Sequence, residues 1–155
     1  MSLKDIIIIL LIFLLDRISK IYVIHLDEIL LNSEIITSKF INIQLIWNEG
    51  VAFGLFAFDD KSFYNLITGF IIIIILTLIY FIRKTRGIEK YSFIVILGGA
   101  LGNVFDRFLY SAVPDFIDIH YQNFHWFIFN VADIFITLGV ILLIYTETFL
   151  KNKKI

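Results

Sequence analysis

The sequence predicts a mainly α-helical membrane protein with four transmembrane helices and with a small β-sheet, a cradle, and loops at the outer membrane surface. Apolar residues fill 59% of the 155 positions and the mean hydropathy is +0.90, both well above the values of a soluble domain. Four apolar segments are each long enough to cross a hydrocarbon core of about 30 Å. Lysine and arginine residues collect at one set of helix ends. We therefore treat residues 1–155 as a single integral membrane domain.

The apolar segments define the expected helices. The first opens as "MSLKDIIIILLIFLL", which has the basic start and apolar core of a signal peptide. The stretch that follows, "DRISKIYVIH", contains no small-residue cleavage site, so we expect a helix that is retained. The predicted helices cover residues 5–24, 62–82, 91–109 and 131–150.

Basic residues in the flanks predict the orientation. With four spans, Lys4, the group within residues 83–90 and the group within residues 151–154 fall on one side of the membrane. The positive-inside rule makes that side cytoplasmic, so both termini are predicted to be cytoplasmic. The connections at residues 25–61 and 110–130 then lie outside.

The first outer connection is rich in β-prone residues. Its segment "SKFINIQLIWNEGVAFGLF" carries aromatic and β-branched side chains that partly alternate, followed by a glycine-containing turn. We predict a small outer sheet at about residues 34–58, with "NEG" as its turn, and the alternative is an interfacial loop without a sheet. The second outer connection is predicted to be a loop.

The composition excludes several classes of function. The formal net charge is −1, whereas a nucleic-acid-binding surface needs a basic stripe. The chain contains no cysteine, which excludes a thiol nucleophile, a thiolate metal site and disulfides. We expect no nucleic-acid partner and no cofactor, and we expect membrane lipid to surround a monomer.

Polar residues within the apolar segments converge on one depth of the predicted bundle. Helices 1 and 3 run outward and carry these residues in their outer halves, whereas helix 4 runs inward and carries them at its start. Asp16 and Lys20 are spaced i and i+4 on one helix face, and Asn103 and Arg107 have the same spacing. An ordinary interpretation is that such residues are ion pairs or snorkelling side chains that end the helices, and we adopt it for Arg17, Lys39 and Lys61. The converging residues are Asp16, Lys20, Asn103, Asp106, Arg107, Asn130 and Asp133.

Two aspartates carry the chemical argument. Asp115 and Asp133 are eighteen residues apart, and one short loop could fold the first beside the head of helix 4. At about 4 Å and an effective dielectric near 20, two carboxylates repel by roughly 4 kcal/mol, or about three pKa units. One would then hold a proton while the other is ionised, as in aspartic proteases. The pair would titrate as a unit.

The small residues of "GGALG" predict a close contact between helices. Gly98 and Gly102 are spaced as in a GxxxG motif, which lets a neighbouring helix approach and brings polar side chains within reach of one another.

Other chemistries are less well supported. Ser19 and Lys20 are adjacent, so their side chains diverge by about 100° on a helix and rarely face each other. Asp118, His120 and His125 could form a metal site, but no HExxH motif is present, and we expect no metal. A small proton-coupled transporter or channel subunit is the strongest alternative, since acids inside membranes often mark ion paths. Against it, the acids collect at one surface and no helix is interrupted at its midpoint.

Five motifs together resemble those of the bacterial lipoprotein signal peptidase family, signal peptidase II. They match in order and spacing and span nearly the whole chain. The motifs are "DRISK" at 16–20, "NEGVAFG" at 48–54, "GGALGNVFDR" at 98–107, "VPDFID" at 113–118 and "FNVAD" at 129–133.

The resemblance implies an aspartic endopeptidase of the bacterial inner membrane, with its active site near the outer leaflet. It implies prolipoprotein substrates, cut just before a cysteine that carries diacylglycerol, and inhibition by the cyclic peptide globomycin. The family's catalytic pair falls on Asp115 and Asp133, with Asp118 a competitor of lower rank. Its supporting residues fall on Asp16, Lys20, Asn48, Gly54, Asn103, Arg107 and Asn130. Pro114 departs from the aliphatic residue expected there, and it leaves the local backbone geometry open.

Overall fold

The computed structural model describes residues 1–30, 34–49, 61–122 and 124–151. Four long helices and four strands make up this part of the chain. In order they are α1 (Leu3–Leu30), β1 (Glu34–Ile36), β2 (Ile41–Asn48), α2 (Lys61–Lys84), α3 (Gly87–Tyr110), β3 (Val113–Tyr121), β4 (Phe124–Phe129) and α4 (Val131–Tyr145). A π-helical turn, Thr146–Lys151, extends α4.

Three helices within the described residues are long and apolar enough to cross a membrane. They cover Leu66–Lys84, Gly87–Tyr110 and Val131–Leu150. Their outer faces are covered with large apolar side chains such as Leu66, Phe70 and Ile73, which are all more than half exposed. A contiguous apolar surface of this kind fits contact with lipid.

Helix α1 differs from the other three because charged residues interrupt its apolar stretch. Asp16, Arg17 and Lys20 stand in its middle, and all three side chains are buried against the rest of the protein. The structure therefore shows a mainly helical protein with three candidate membrane helices. The fourth predicted span stays a prediction.

Helix α3 lies at the centre and contacts each of the other long helices. Its apolar face, with Ile94 and Leu97 almost fully buried, forms the main core together with residues of α1 and α2 such as Ile9 and Ile82. Burial of such side chains inside a membrane bundle works mainly through close packing, because lipid tails are themselves apolar. The central helix therefore fixes where α1 and α4 sit.

Glycines on α3 allow its neighbours to approach closely. A Cβ atom added at Gly98 would meet the side chain of Ile12, and one added at Gly102 would meet the carboxylate of Asp16. Both partners lie on α1, four residues apart, so the GxxxG pair packs against one face of that helix. This confirms the packing role predicted for the motif. On an adjacent face of α3, Gly99 lies against the backbone of Ala132 at the start of α4.

Ion pairs and hydrogen bonds show the relative directions of the helices. Near the start of both α1 and α3, the ammonium of Lys90 lies 2.7 Å from a carboxylate oxygen of Asp5. Farther along both helices, Lys20 donates to Asn103 at 2.9 Å. These two contacts show that α1 and α3 run in the same direction. The first turn of α4 meets α1 at Asp16, so α4 begins at the end where α1 and α3 carry their polar residues.

All four strands form one antiparallel sheet in the order β1-β2-β3-β4. The first outer connection supplies β1 and β2, as predicted, but the second supplies β3 and β4, which were predicted to be a loop. That prediction was wrong because Asp115, Asp118 and His120 obscure a run of β-branched and aromatic residues. Of the predicted "NEG" turn, Asn48 is the last residue of β2 and Glu49 follows it, whereas Gly50 and the rest of the predicted range up to residue 58 lie outside the described residues.

Pro114 lies in β3, opposite Trp47 of β2. Proline cannot donate a backbone hydrogen bond, so it is tolerated where a strand has a free edge. The pairing of β3 with β4 begins only at Ile117, which leaves the other edge of β3 unpaired at Pro114. The departure at this position is thus accommodated without a break in the sheet.

Replacement of Gly99 by alanine tests the close contact of α3 with α4. The added Cβ would lie 2.5 Å from the carbonyl oxygen of Ala132, which is backbone and cannot rotate away. Overpacking of this kind costs about 1–3 kcal/mol, so Gly99→Ala should lower the melting temperature in detergent. Gly69→Ala is the matched control, since a Cβ there meets nothing within 4 Å. An unchanged melting temperature for Gly99→Ala would show that the two helices are not in tight contact.

Candidate active site

A cavity of about 290 Å³ opens where α2, α3 and α4 meet β2 and β3. One wall is apolar and the other carries amide, carboxylate and guanidinium groups. The apolar lining consists of Ile71, Ile74, Ile96, Ala100, Val113 and Ile136. The polar lining consists of Asn48, Asn103, Arg107, Asp115, Asn130 and Asp133, all of which were predicted as site residues.

The start of α4 positions two of these residues through a capping box. Asn130 is the N-cap, and its side-chain oxygen accepts a hydrogen bond of 3.1 Å from the backbone N–H of Asp133. In return, the Asp133 carboxylate accepts a bond of 3.1 Å from the backbone N–H of Asn130. Reciprocal bonds of this type satisfy donors that a helix start leaves free and hold both side chains in place. The polar first turn of an otherwise apolar helix thus has a local structural origin.

The other aspartate reaches the same point from the sheet. Asp115 lies on β3, and one of its carboxylate oxygens accepts a hydrogen bond of 2.6 Å from the side-chain amide of Asn130. Its second oxygen accepts a bond of 2.9 Å from the amide of Asn48 on β2. Asn130 therefore contacts both aspartates, one through each end of its amide group.

Burial perturbs the titration of Asp115. Removal of the carboxylate from water, together with the smaller effect of the nearby charge of Asp133, raises the pKa of Asp115 from its ordinary 3.8 to about 6. The hydrogen bonds from Asn48 and Asn130 and the charge of Lys20 act in the opposite direction. Asp115 therefore stays protonated up to a higher pH than an ordinary aspartate does. Such a group can exchange a proton near neutral pH.

Lys20 connects α1 to this site. Its ammonium is fully buried and donates to Asp16 at 2.9 Å, to Asp106 at 2.6 Å and to the Asn103 side-chain oxygen at 2.9 Å. The amide of Asn103 then donates to Asp133 at 2.8 Å. A chain of hydrogen bonds thus runs from Lys20 through Asn103 to Asp133. Because Asn103 accepts from the ammonium, its NH₂ group is oriented toward the carboxylate.

Asp16 contributes a second link between the helices. One of its oxygens accepts from Lys20, and the other accepts a bond of 2.9 Å from the backbone N–H of Ala132. That N–H belongs to the first turn of α4, where backbone N–H groups have no acceptor within the helix. Asp16 therefore fixes the start of α4, where Asn130 and Asp133 stand.

Two charged residues on the far side of this network were given little weight from sequence. Arg17 forms an ion pair with Asp106, and its guanidinium also lies 5.2 Å from the centre of the Phe105 ring. The ion pair expected for Arg17 is confirmed, whereas the snorkelling alternative is wrong because the side chain is buried. Two features of the sequence could have indicated that Arg17 and Asp106 belong to the network. Arg17 directly follows Asp16, and Asp106 lies three residues after Asn103.

The remaining predicted residues differ in how closely they approach the pair of aspartates. Arg107 lines the cavity and donates to the backbone oxygen of Asn103 at 3.3 Å. Gly54 lies outside the described residues. Asp118 does not line the cavity, since Asn42, Gln44 and His125 surround its carboxylate instead.

These features define a class of protein: a multi-pass membrane bundle in which a buried aspartate, Asp115, and a partly buried one, Asp133, line a cavity of mixed apolar and polar character. A family model described as signal peptidase (SPase) II matches residues 8–149. The chain is 50% identical to the lipoprotein signal peptidase of Pelagibacter ubique over 150 residues, which are 97% of this chain and 90% of that protein. It is 43% identical to the lipoprotein signal peptidase of Francisella tularensis subsp. novicida over 120 residues, 75% of this chain and 74% of the relative. The chain belongs to the signal peptidase II family, as the sequence motifs suggested.

The fold agrees with this assignment. A solved structure described as a bacterial membrane enzyme at 2.3 Å resolution has a TM-score of 0.75 and 30% identity, covering 97% of this chain and 90% of the other. A second, at 1.9 Å, has a TM-score of 0.72 at 30% identity and covers 94% and 93%. The architecture described above is thus shared by membrane enzymes of known structure.

Substitution of Lys20 tests the role of the buried ion network. Lys20→Met keeps an unbranched side chain only one atom shorter but leaves the carboxylates of Asp16 and Asp106 without their shared cation, which for a broken buried pair costs about 3–5 kcal/mol. We expect a large fall in melting temperature in detergent. Lys39→Met is the control, because Lys39 is exposed and a change there should cost less than about 0.5 kcal/mol. Equal melting temperatures for the two variants would refute the role assigned to Lys20.

Proposed function

We propose that this protein is a membrane aspartic endopeptidase that removes the signal peptide from diacylglyceryl-modified prolipoproteins by cleaving before the lipidated cysteine. Membership of the signal peptidase II family supports the signal-peptide cleavage. The observation that carries the aspartic mechanism is the joint hydrogen bonding of Asp115 and Asp133 to Asn130 at one cavity. The transporter considered from sequence gains no support from the family.

In the proposed mechanism the two aspartates share one proton. The ionised carboxylate removes a proton from a water molecule as the water oxygen attacks the scissile carbonyl carbon. The neutral carboxyl gives its proton to the leaving nitrogen when the C–N bond breaks. Asp115 suits this exchange because burial and the charge of Asp133 keep its pKa at about 6. The pair acts as a unit, so neither aspartate is assigned one fixed role.

The amides around the pair are proposed to position it and the substrate. Asn48 and Asn130 hold the Asp115 carboxylate, and Asn103 holds that of Asp133. Arg107, at the cavity wall, is proposed to donate to a substrate carbonyl oxygen. Asp16 and Lys20 act indirectly. Lys20 orients Asn103, and Asp16 orients the start of α4.

The apolar wall of the cavity suits a substrate that is itself a hydrophobic helix. Its lining includes Ile71 and Ile74 of α2, Ile96 of α3 and Ile136 of α4. A signal peptide could lie between these helices with its end beside the aspartates. Globomycin, a cyclic peptide, is proposed to bind the same cavity, and the enzyme is proposed to act as a monomer.

The membrane placement follows from the helix directions. We propose that α1 is the fourth span, since its three central charges are turned away from lipid. The pair formed by Asp5 and Lys90 then lies at the cytoplasmic end, with Arg83 and Lys84 of α2 nearby in the sequence. Asp16 lies eleven residues beyond Asp5, or about 16 Å at 1.5 Å per residue. We therefore propose that the site lies in the outer half of a bacterial inner membrane and that both termini are cytoplasmic.

Isosteric substitution of each aspartate tests the proposal. Asp115→Asn and Asp133→Asn each remove the group that can share a proton, so cleavage of a lipidated prolipoprotein should fall by at least about 10³-fold. The assay is a gel-shift measurement with purified protein, with and without globomycin. Asp27→Asn is the matched control, as Asp27 lies beyond the predicted first span on α1 and does not line the cavity.

The control variant should cleave at the wild-type rate, and globomycin should inhibit both. Normal circular dichroism for the Asp115 and Asp133 variants would assign their loss of activity to chemistry. Full cleavage by either folded variant would exclude the proposed mechanism.

A further inference from the structure

We propose that Asp118, His120 and His125 form a binding site for one divalent transition-metal ion, such as Zn²⁺, on the β3–β4 hairpin. Each of the three residues offers one ligand atom, and these atoms all lie within 4.8 Å of one another. The site is separate from the proposed peptidase mechanism and does not depend on it.

The pairing of β3 with β4 brings the two histidines together. His120 and His125 are directly opposite each other in the ladder, and their rings stack with centres 5.0 Å apart and planes inclined by 20°. Asp118 lies two residues before His120, so the period of two along a strand turns its side chain to the same face. A carboxylate and two imidazoles therefore point to one place on the sheet.

Two buried polar atoms at this place have no hydrogen bond within the described part of the chain. Asp118 is completely buried, and one of its oxygens accepts bonds from Asn42, Gln44 and His125. Its other oxygen is buried and has no partner, and the same is true of Nδ1 of His120. Buried acceptors without partners are rare in folded proteins and call for an explanation such as a bound ion.

An ion pair between His125 and Asp118 is the ordinary explanation of this cluster. Nδ1 of His125 lies 2.8 Å from the Asp118 carboxylate, which accounts for one nitrogen and one oxygen. It leaves the second oxygen of Asp118 and Nδ1 of His120 unexplained. A cation bound between them would engage both atoms, which is the reason that we favour a metal site.

The chemistry of the ligands indicates the class of ion. Two imidazoles and one carboxylate suit Zn²⁺, Co²⁺ or Ni²⁺, whereas Ca²⁺ and Mg²⁺ prefer oxygen ligands alone. Tetrahedral ligands at 2.0–2.1 Å from Zn²⁺ stand roughly 3.4 Å apart, so His125 must move from its 2.8 Å contact with Asp118 to a slightly longer separation as the ligands arrange around the ion. The His125 side chain is 52% exposed and can rotate to do so. Its exposure also leaves room for water at the fourth position.

The proposed ion would link two strands and takes no part in peptide hydrolysis. Asp115 and Asp118 are three residues apart on β3, so their side chains point to opposite faces of the strand. The contacts of Asp118 with Asn42 and Gln44 join β2 to the same cluster. A metal here would stabilise the outer sheet on the side away from the cavity.

Titration with Co²⁺ tests the site directly. The full chain, purified in detergent through an affinity tag without histidine, should bind one Co²⁺ and give the visible absorption of a tetrahedral complex. Zn²⁺ should displace it. His120→Gln and His125→Gln should each weaken Co²⁺ binding by at least about tenfold. His25→Gln is the matched control, since His25 is exposed on α1 and should not change binding.

Several results would overturn the proposal. They are the absence of saturable one-to-one Co²⁺ binding to the wild type, binding within about twofold of wild type in either hairpin variant, and an equal loss in His25→Gln. Circular dichroism checks the fold of each variant. If His120→Gln misfolds, His125→Gln decides, because that side chain is half exposed and its removal leaves the core unchanged.

Discussion

The side chain of Asn130 is the contact on which the rest of the site depends. Its NH₂ group donates to Asp115 of the sheet, and its oxygen accepts from the backbone of Asp133 at the start of α4. One neutral amide thereby joins two acidic residues that belong to different parts of the fold. Because Asn130 is fully buried, water cannot replace either bond, and loss of one would leave a buried polar group unsatisfied. These two hydrogen bonds fix the position of the sheet relative to the helical bundle.

A second constraint is the cost of charge inside a membrane bundle. Lys20 reduces this cost for Asp16 and Asp106 by donating a hydrogen bond to each. Its third hydrogen bond goes to the side-chain oxygen of Asn103 and fixes the orientation of that amide. The close approach of α1 and α3 that this requires is possible because Gly102 has no side chain where the Asp16 carboxylate lies. Packing and electrostatics are therefore coupled. The close contact at Gly102 lets Lys20 reach Asn103, which in turn donates to Asp133.

Sequence patterns predicted the helices better than the sheet. Apolar length alone predicted α3 at 91–109, and the observed helix, Gly87–Tyr110, contains that range. Asn103 and Asp133 line one cavity, as the helix directions predicted, because α3 ends and α4 begins at the same depth. The contact of Asn48 with Asp115 could not be predicted, since it depends on the pairing of β2 with β3 across more than sixty residues. The charged and polar residues on β3 hid its strand pattern.

Carboxyl titration tests the shared proton most directly. With ¹³C-labelled aspartate, carbon NMR in detergent between pH 4 and pH 8 follows each protonation state. Burial and the charge of Asp133 favour neutral Asp115, so its proton should persist above pH 3.8 and be lost on raising the pH through about 6. That titration should disappear in Asp115→Asn. Complete ionisation of every aspartate by pH 5 would contradict the claim that the two carboxylates hold one proton between them.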